Sequence, residues 1–242
     1  MSQLTRCEGV VLRSRRFMES SKISTIFTKN LGRLDLLARG ARKPGSRFGA
    51  ALEPGTEAEF IVYSREDSSL WTLSAIDILK SNQNLRENLP VFRTLAAVLN
   101  TTYALSPPGQ ANLGLYNLLL AVLNSMYHNT FWESLYSFYL WRAAVLSGYA
   151  PSLDRGCLLC GSHEKTGFSI AHGGFLCSQH LQGEVDIFKL NDKELHFLKQ
   201  LKHSSASDID SEFPSILIKL IKKYASYHLH LKSSLLASKG FK

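Results

Sequence analysis

The feature that most narrows the possible folds is the spacing of four residues. Cys157 and Cys160 stand with two residues between them; sixteen residues then intervene before Cys177 and His180, again with two between them. Each pair can present both side chains to one tetrahedral ion, with thiolate sulfur about 2.3 Å from the metal. Gly156, Gly161, Gly173 and Gly174 flank the pairs and supply the backbone freedom that tight knuckles and a hairpin need. Four protein ligands fill the shell and leave no position for water, so the expected cofactor is one structural zinc ion on Cys157, Cys160, Cys177 and His180. A redox C-x2-C pair, or thiols used in packing, is the competing reading. His163 and His172 are near enough to substitute as ligands but read as loop histidines, and Cys7, alone in a strand-like segment, reads as a small buried apolar residue.

A zinc deaminase also uses C-x2-C, but it needs an H-x-E element for a ligand and a proton shuttle. None occurs; His163 is followed directly by Glu164. A phosphate-binding G-x-x-x-x-G-K-S/T loop, a G-x-S-x-G elbow and an H-E-x-x-H helix are absent as well. With no residues on which to build a reaction, the expectation is a protein that is not an enzyme.

Hydropathy splits the chain near residue 83. Candidate strands lie at 7–14, 24–28, 33–41, 56–63 and 70–79, punctuated by Asn30-Leu31-Gly32, Lys43-Pro44-Gly45 and Glu53-Pro54-Gly55. Five short strands in so few residues suit an OB-fold barrel, and the pattern leaves an SH3-like barrel open. Helical periodicity follows at 89–105, 113–127, 131–147, 192–201 and 212–231. Gly148 and Pro151 terminate the third of these helices, and Asn191 is placed to cap the fourth. The fold class is therefore α+β. Residues 1–82 form the barrel and residues 83–242 a helical domain, with a zinc finger inserted at about 154–184.

No charge occurs between Arg93 and Glu133, yet the most apolar part, 113–127, carries Asn117 and Asn124 and is about one turn short of a membrane span. It reads as a buried core helix. The first eight residues contain no apolar run, and four cysteines are too few for a disulfide scaffold. These observations lead to the expectation of a reducing cytoplasm and no membrane association.

The net charge is +8, and its placement matters more than its size. Residues 1–49 hold eleven Lys or Arg against three acids, while the remainder is balanced, so the whole excess lies in the first fifth of the chain. Eight of the eleven are arginines, which favour forked contacts with phosphate and stacking on bases. Such a patch concentrates polyanions and releases their counterions on binding. Arg13, Arg15, Arg16, Arg39, Arg42, Lys43 and Arg47 are the candidate phosphate contacts. Phe17 and Phe48 stand among them as candidate stacking residues, with core burial the alternative. A solvated basic face, an acidic protein partner or a membrane surface are the competing readings of the patch. A second basic bias, with no acid over residues 214–242, includes Lys219, Lys222 and Lys223 above Leu217, Ile218 and Ile221. It could receive an acidic peptide or DNA, or be a solvated helix face.

The order of these features resembles a known family. A basic barrel precedes a helical domain. There follow Leu146-Ser147-Gly148-Tyr149-Ala150-Pro151, Cys157-Leu158-Leu159-Cys160-Gly161, the Cys177/His180 pair and Tyr227-His228-Leu229-His230-Leu231-Lys232-Ser233, and the segment Leu37-Ala38-Arg39-Gly40-Ala41-Arg42-Lys43 also fits. Together they resemble the bacterial RecO recombination mediators over nearly the whole chain. Two points depart from the pattern: His180 stands where many relatives have cysteine, and some relatives lack the finger. The resemblance implies an OB-fold, a helical domain and a finger within it. It also implies binding of single- and double-stranded DNA, annealing of complementary strands, and loading of the RecA recombinase onto DNA coated by single-stranded DNA-binding protein. RecR and the acidic C-terminal tail of that coat protein are the implied partners, and the nucleoid is the implied place of action. The alternative is a zinc-ribbon transcription or RNA-binding factor.

Overall fold

The computed structural model describes residues 4–64, 70–232 and 236. Ser233, quoted above, lies outside them. The chain packs as two compact units, residues 1–123 and 124–242.

In the first unit, five strands close into a barrel: β1 (Leu4–Phe17), β2 (Ser21–Thr28), β3 (Gly32–Ala38), β4 (Glu57–Tyr63) and β5 (Leu70–Lys80). Their order is β1-β2-β3-β5-β4, with β4 returning to β1. Only β3 and β5 run parallel; the other neighbours are antiparallel. That order and that single parallel pair are those of an OB-fold, which settles the choice against the SH3-like barrel. The strand β1 is long enough to pair with β4 through its first half and with β2 through its second, turning between sheets at an irregularity between Val11 and Arg13. Inward positions such as Val11, Ile26, Leu36, Ala58, Phe60 and Val62 fill the interior.

The expected third strand, 33–41, is shorter in the structure and ends at Ala38. Gly40 follows at φ +68°, a left-handed conformation that turns the chain before Ala41, and Lys43 N–H closes the turn on the Gly40 carbonyl. Beyond β5 come a short helix α1 (Asn84–Glu87), then α2 (Leu89–Leu105) and α3 (Leu113–Ser125). Strands thus give way to helices near residue 83, whereas packing groups all three of these helices with the barrel. Tyr116 of α3 meets Phe27 of β2 edge to face, with ring centroids 5.9 Å apart. The apolar helix α3 buries Leu115, Leu118, Leu119, Val122 and Leu123. Among the described residues no helix is long and apolar enough to cross a membrane.

The second unit contains α4 (Trp132–Leu146), the small strands β6 (Gly167–Ser169), β7 (Gly174–Leu176) and β8 (Ile187–Phe188), then α5 (Asp192–Leu201) and α6 (Ser215–His228). Asn191 caps α5 as expected, within a reciprocal box: its side chain accepts from the Glu194 amide and the Glu194 carboxylate accepts from the Asn191 amide. The last helix begins at Ser215 instead of residue 212 because Pro214 stands before its first turn. It ends at His228, with His230 at φ +51° just beyond. The aromatic helix α4 buries Tyr136, Phe138, Tyr139 and Trp141, and Trp141 packs on Tyr224 of α6. The strand β8, beyond residue 184, pairs with β6 and completes a three-stranded sheet. Two residues of alternating pattern are too few to register as a strand in sequence.

Candidate nucleic-acid interface and metal centre

The donor atoms of Cys157, Cys160, Cys177 and His180 lie within 4.8 Å of one another. Two thiolates about 2.3 Å from a tetrahedral centre stand about 3.8 Å apart; Cys160 Sγ and Cys177 Sγ are 3.8 Å apart. His180 turns Nδ1 inward, 3.5 Å from Cys157 Sγ and 3.2 Å from Cys177 Sγ. All four cysteines of the chain are free thiols. The donor set and its edges therefore fit one metal ion.

The local backbone makes this geometry. Cys157 N–H donates to the Ser162 carbonyl at 2.7 Å and Gly161 N–H to the Cys157 carbonyl at 2.9 Å. A Cβ at Gly156 would sit 1.9 Å from the Ser162 carbonyl oxygen, so no side chain fits there. In the second knuckle, the amides of His180 and Leu181 both donate to the Cys177 carbonyl. Burial pushes the Cys157 thiol up, but amide donors from Cys160, Cys177 and Leu159 more than offset it, and the pKa falls to about 6. Glu164 joins the knuckles by accepting from Thr166 Oγ1, the Ser178 amide and Ser178 Oγ. His163 is exposed and outside the cluster. His172 instead faces Glu184 at 3.2 Å. Cys7 is buried in the barrel, and burial raises its thiol to about 11.

The aromatic segment near the C-terminus packs against the finger at Ile170 and against the junction that precedes the finger at Tyr149. His228 Nε2 meets the Ile170 carbonyl at 2.8 Å, and its ring lies against Tyr149, Tyr224 and Tyr227. Tyr224 Oη donates to the Tyr149 carbonyl at 3.1 Å. The Gly148-Tyr149 junction and the Tyr227-His228 segment, far apart in sequence, thus form one cluster.

On the barrel, Arg15 and Arg16 of β1 and Arg42 of the turn after β3 line one groove of about 830 Å³. Lys22, Arg86 and Phe92 line it too, and sequence reasoning missed these three as site residues. The only signal in sequence was the charge of Arg86; Phe92, an apolar residue at the start of a helical segment, carried none. Among the described residues Glu53 is the one acid in the lining, and Lys22 holds it at 2.9 Å. Arg42 is pulled into place because its amide bonds to the Ser20 carbonyl, while its Nη1 donates to the carbonyls of Met18 and Glu19.

The other four expected contacts do not line this groove. Arg13 lies over the Tyr103 ring at 3.6 Å and donates to Asn100 Oδ1; Arg33 lies over the same ring at 4.1 Å. Arg47 covers Phe48 and donates to the Ser74 carbonyl. Arg39 and Lys43 stand exposed at either end of the Gly40 turn. Phe48 packs against the barrel core, and Phe17 is half-buried at the end of β1. Neighbouring cations Arg6, Lys22 and Lys29 pair with Glu59, Glu53 and Glu8. Among the described residues none of the seven expected contacts enters an ion pair.

On α6, Lys219, Lys222 and Lys223 line a cavity of about 670 Å³ with Phe213, Pro214 and Ile218. Leu217 and Ile221 are buried and do not line it. Lys222 pairs with Glu133 at 2.5 Å and Lys223 with Asp186.

Comparison with known proteins bears on these sites together. The family description "Recombination protein O N terminal" matches residues 1–82, and "Recombination protein O C terminal" matches residues 91–235. The chain belongs to the RecO family. The DNA repair protein RecO of Rubrobacter xylanophilus is 38% identical over 179 residues, covering 72% of this chain and 70% of that protein. The DNA repair protein RecO of Caldanaerobacter subterraneus is 28% identical over 233 residues, covering 93% of each. That of Halalkalibacterium halodurans is 28% identical over 236 residues, covering 94% of this chain and 92% of the relative. The barrel and the helices of this RecO-family chain are those expected from the resemblance, and its Cys3His cluster is compatible with a zinc site.

Proposed function

We propose that the chain is a DNA-binding recombination mediator in DNA repair, acting at the nucleoid in the cytoplasm. It binds single- and double-stranded DNA, anneals complementary strands and helps load RecA onto DNA coated by single-stranded DNA-binding protein, with RecR as a further partner. The observation that carries this reading is the barrel groove, where Arg15, Arg16, Arg42 and Arg86 face a lining whose single acid is already neutralised. Arg13, Arg39, Lys43 and Arg47 extend the positive surface beyond it and make further phosphate contacts. Annealing needs no chemical step: cations that screen two strands lower their repulsion and raise their rate of encounter. No nucleotide hydrolysis is required of the chain.

Residues 1–82 serve as the nucleic-acid-binding domain, to which Arg86 and Phe92 from just beyond it contribute, and the rest of residues 83–242 as the connecting one. Zinc is the ion of the Cys3His site, since a tetrahedral set of soft sulfur and imidazole donors selects it. It stabilises a loop-rich segment that buries little core of its own. The acidic tail of the coat protein docks in the α6 cavity, its carboxylates displacing Glu133 and Asp186 from Lys222 and Lys223 and meeting Lys219.

The test is an annealing assay with complementary oligonucleotides, bare and coated. The chain accelerates duplex formation, and replacing Arg15, Arg16 and Arg42 by alanine abolishes most of the acceleration. Equal rates with and without the protein would reject the reading. For the tail, reversing the charge of Lys222 and Lys223 lowers affinity for a coat-protein tail peptide; unaltered affinity would remove that cavity as the docking site.

A further inference from the structure

We propose that the barrel groove selects unpaired DNA by stacking one base on Phe92, while Arg42 and Arg86 fork the neighbouring phosphates. This rests on the groove being the DNA site. Phe92 lies in the first turns of α2, is 37% exposed and lines the groove with the arginines. A lone exposed phenyl is ordinary on a protein surface, but one set among cations has the composition of a single-strand platform, where bases stack and phosphates are neutralised.

The two arginines are held in a way that suits them to phosphate. Arg42 donates through Nη1 to the carbonyls of Met18 and Glu19, at 3.3 and 3.0 Å. Arg86 donates through Nη1 to the carbonyls of Pro54 and Ser81, at 3.0 and 2.8 Å. Among the described residues neither has a protein partner at Nε or Nη2. That edge of the guanidinium is the one that makes a bidentate fork with a phosphate. Anchoring by the backbone fixes the plane beforehand, so less conformational freedom is lost on binding. Lys22 holds Glu53, which keeps the one carboxylate of the lining from repelling the ligand. The groove volume, about 830 Å³, falls within the range of about 300–1,000 Å³ that ligand sites use.

The discrimination follows from base stacking in the duplex. Successive base pairs of a duplex already lie face to face, and opening a step to admit a phenyl ring costs free energy. Phosphate contacts are available from either form of DNA; the ring contact is available only from an unpaired strand. Because every base has a π-face, the preference is for strandedness and not for sequence.

The experiment measures affinity for a labelled single strand and for the duplex of the same sequence by fluorescence anisotropy. The proteins are the full chain, Phe92→Ala, Phe92→Trp, and the triple variant Arg15→Ala, Arg16→Ala, Arg42→Ala. Phe92→Ala weakens single-strand binding about tenfold and leaves duplex binding within about twofold. Phe92→Trp retains the preference, and its emission is quenched by the single strand but not by the duplex. If Phe92→Ala leaves single-strand affinity unchanged, or weakens both forms equally, while the triple arginine variant binds poorly, the base platform is wrong and the groove stands. If the triple variant also binds both forms as the parent does, the groove itself is not the DNA site.

Discussion

Asn82 shows how one side chain can tie the end of a strand to a distant loop. It is 1% exposed, sits at φ +51°, and its Nδ2 donates to the Gly55 carbonyl at 2.7 Å and to Glu57 Oε1 at 2.9 Å. Asparagine tolerates the left-handed conformation better than most residues. Asn82→Ala removes both bonds at a buried position and lowers stability by about 1–3 kcal/mol; a urea titration that shows no shift in midpoint would contradict this. Tyr224 gives a prediction with pH. Burial raises its phenol to about 12, so the folded state prefers the neutral form. Its contribution is complete below the ordinary phenol pKa of about 10 and is lost as pH rises toward the folded value. Tyr224→Phe, which cannot ionise, makes stability fall less steeply between those values, and an unchanged alkaline limb in thermal melts would count against the assignment. Residue identities in the basic stretch were legible in sequence; their directions were not. Arg13 turns to Asn100 and Tyr103, far along the chain, and no local pattern reports a contact of that separation.

At the scale of elements, strands and helices were largely legible because alternation and helical spacing follow directly from which face is buried. The expected helices at 89–105 and 192–201 match α2 and α5 residue for residue, since Asn88 and Asn191 supply capping oxygens at their starts. Elements of two to four residues, such as β6, β7, β8 and α1, are too short to carry a period and were missed. The cluster of four residues that could hold a metal was legible from spacing alone, because a C-x2-C knuckle is fixed by local geometry. What spacing cannot supply is the support around them: Glu164 on Ser178, and the Gly156 position that only hydrogen can occupy. Removing the metal by chelation should lower the melting temperature of the second unit and expose the Cys157, Cys160 and Cys177 thiols to a labelling reagent. Identical melting and no gain in labelling would reject a structural metal.

Across the whole molecule, the net charge of +8 is carried by the first fifth of the chain. The barrel turns part of that linear bias into a surface: strand β1 brings Arg15 and Arg16, the Gly40 turn brings Arg42, and the start of the helical segment adds Arg86 and Phe92. Sequence showed that the charge was there, and only closure of the barrel shows which cations share a groove. The direct test is the salt dependence of single-strand binding, for the parent chain and for the Arg15, Arg16, Arg42 triple alanine variant. For the parent, log affinity falls linearly with log salt. The variant binds more weakly at low salt, and its slope is flatter by about two, since each lost single-strand phosphate contact removes about 0.7. Equal affinity at low salt with an unchanged slope would contradict an electrostatic grip on DNA through this groove.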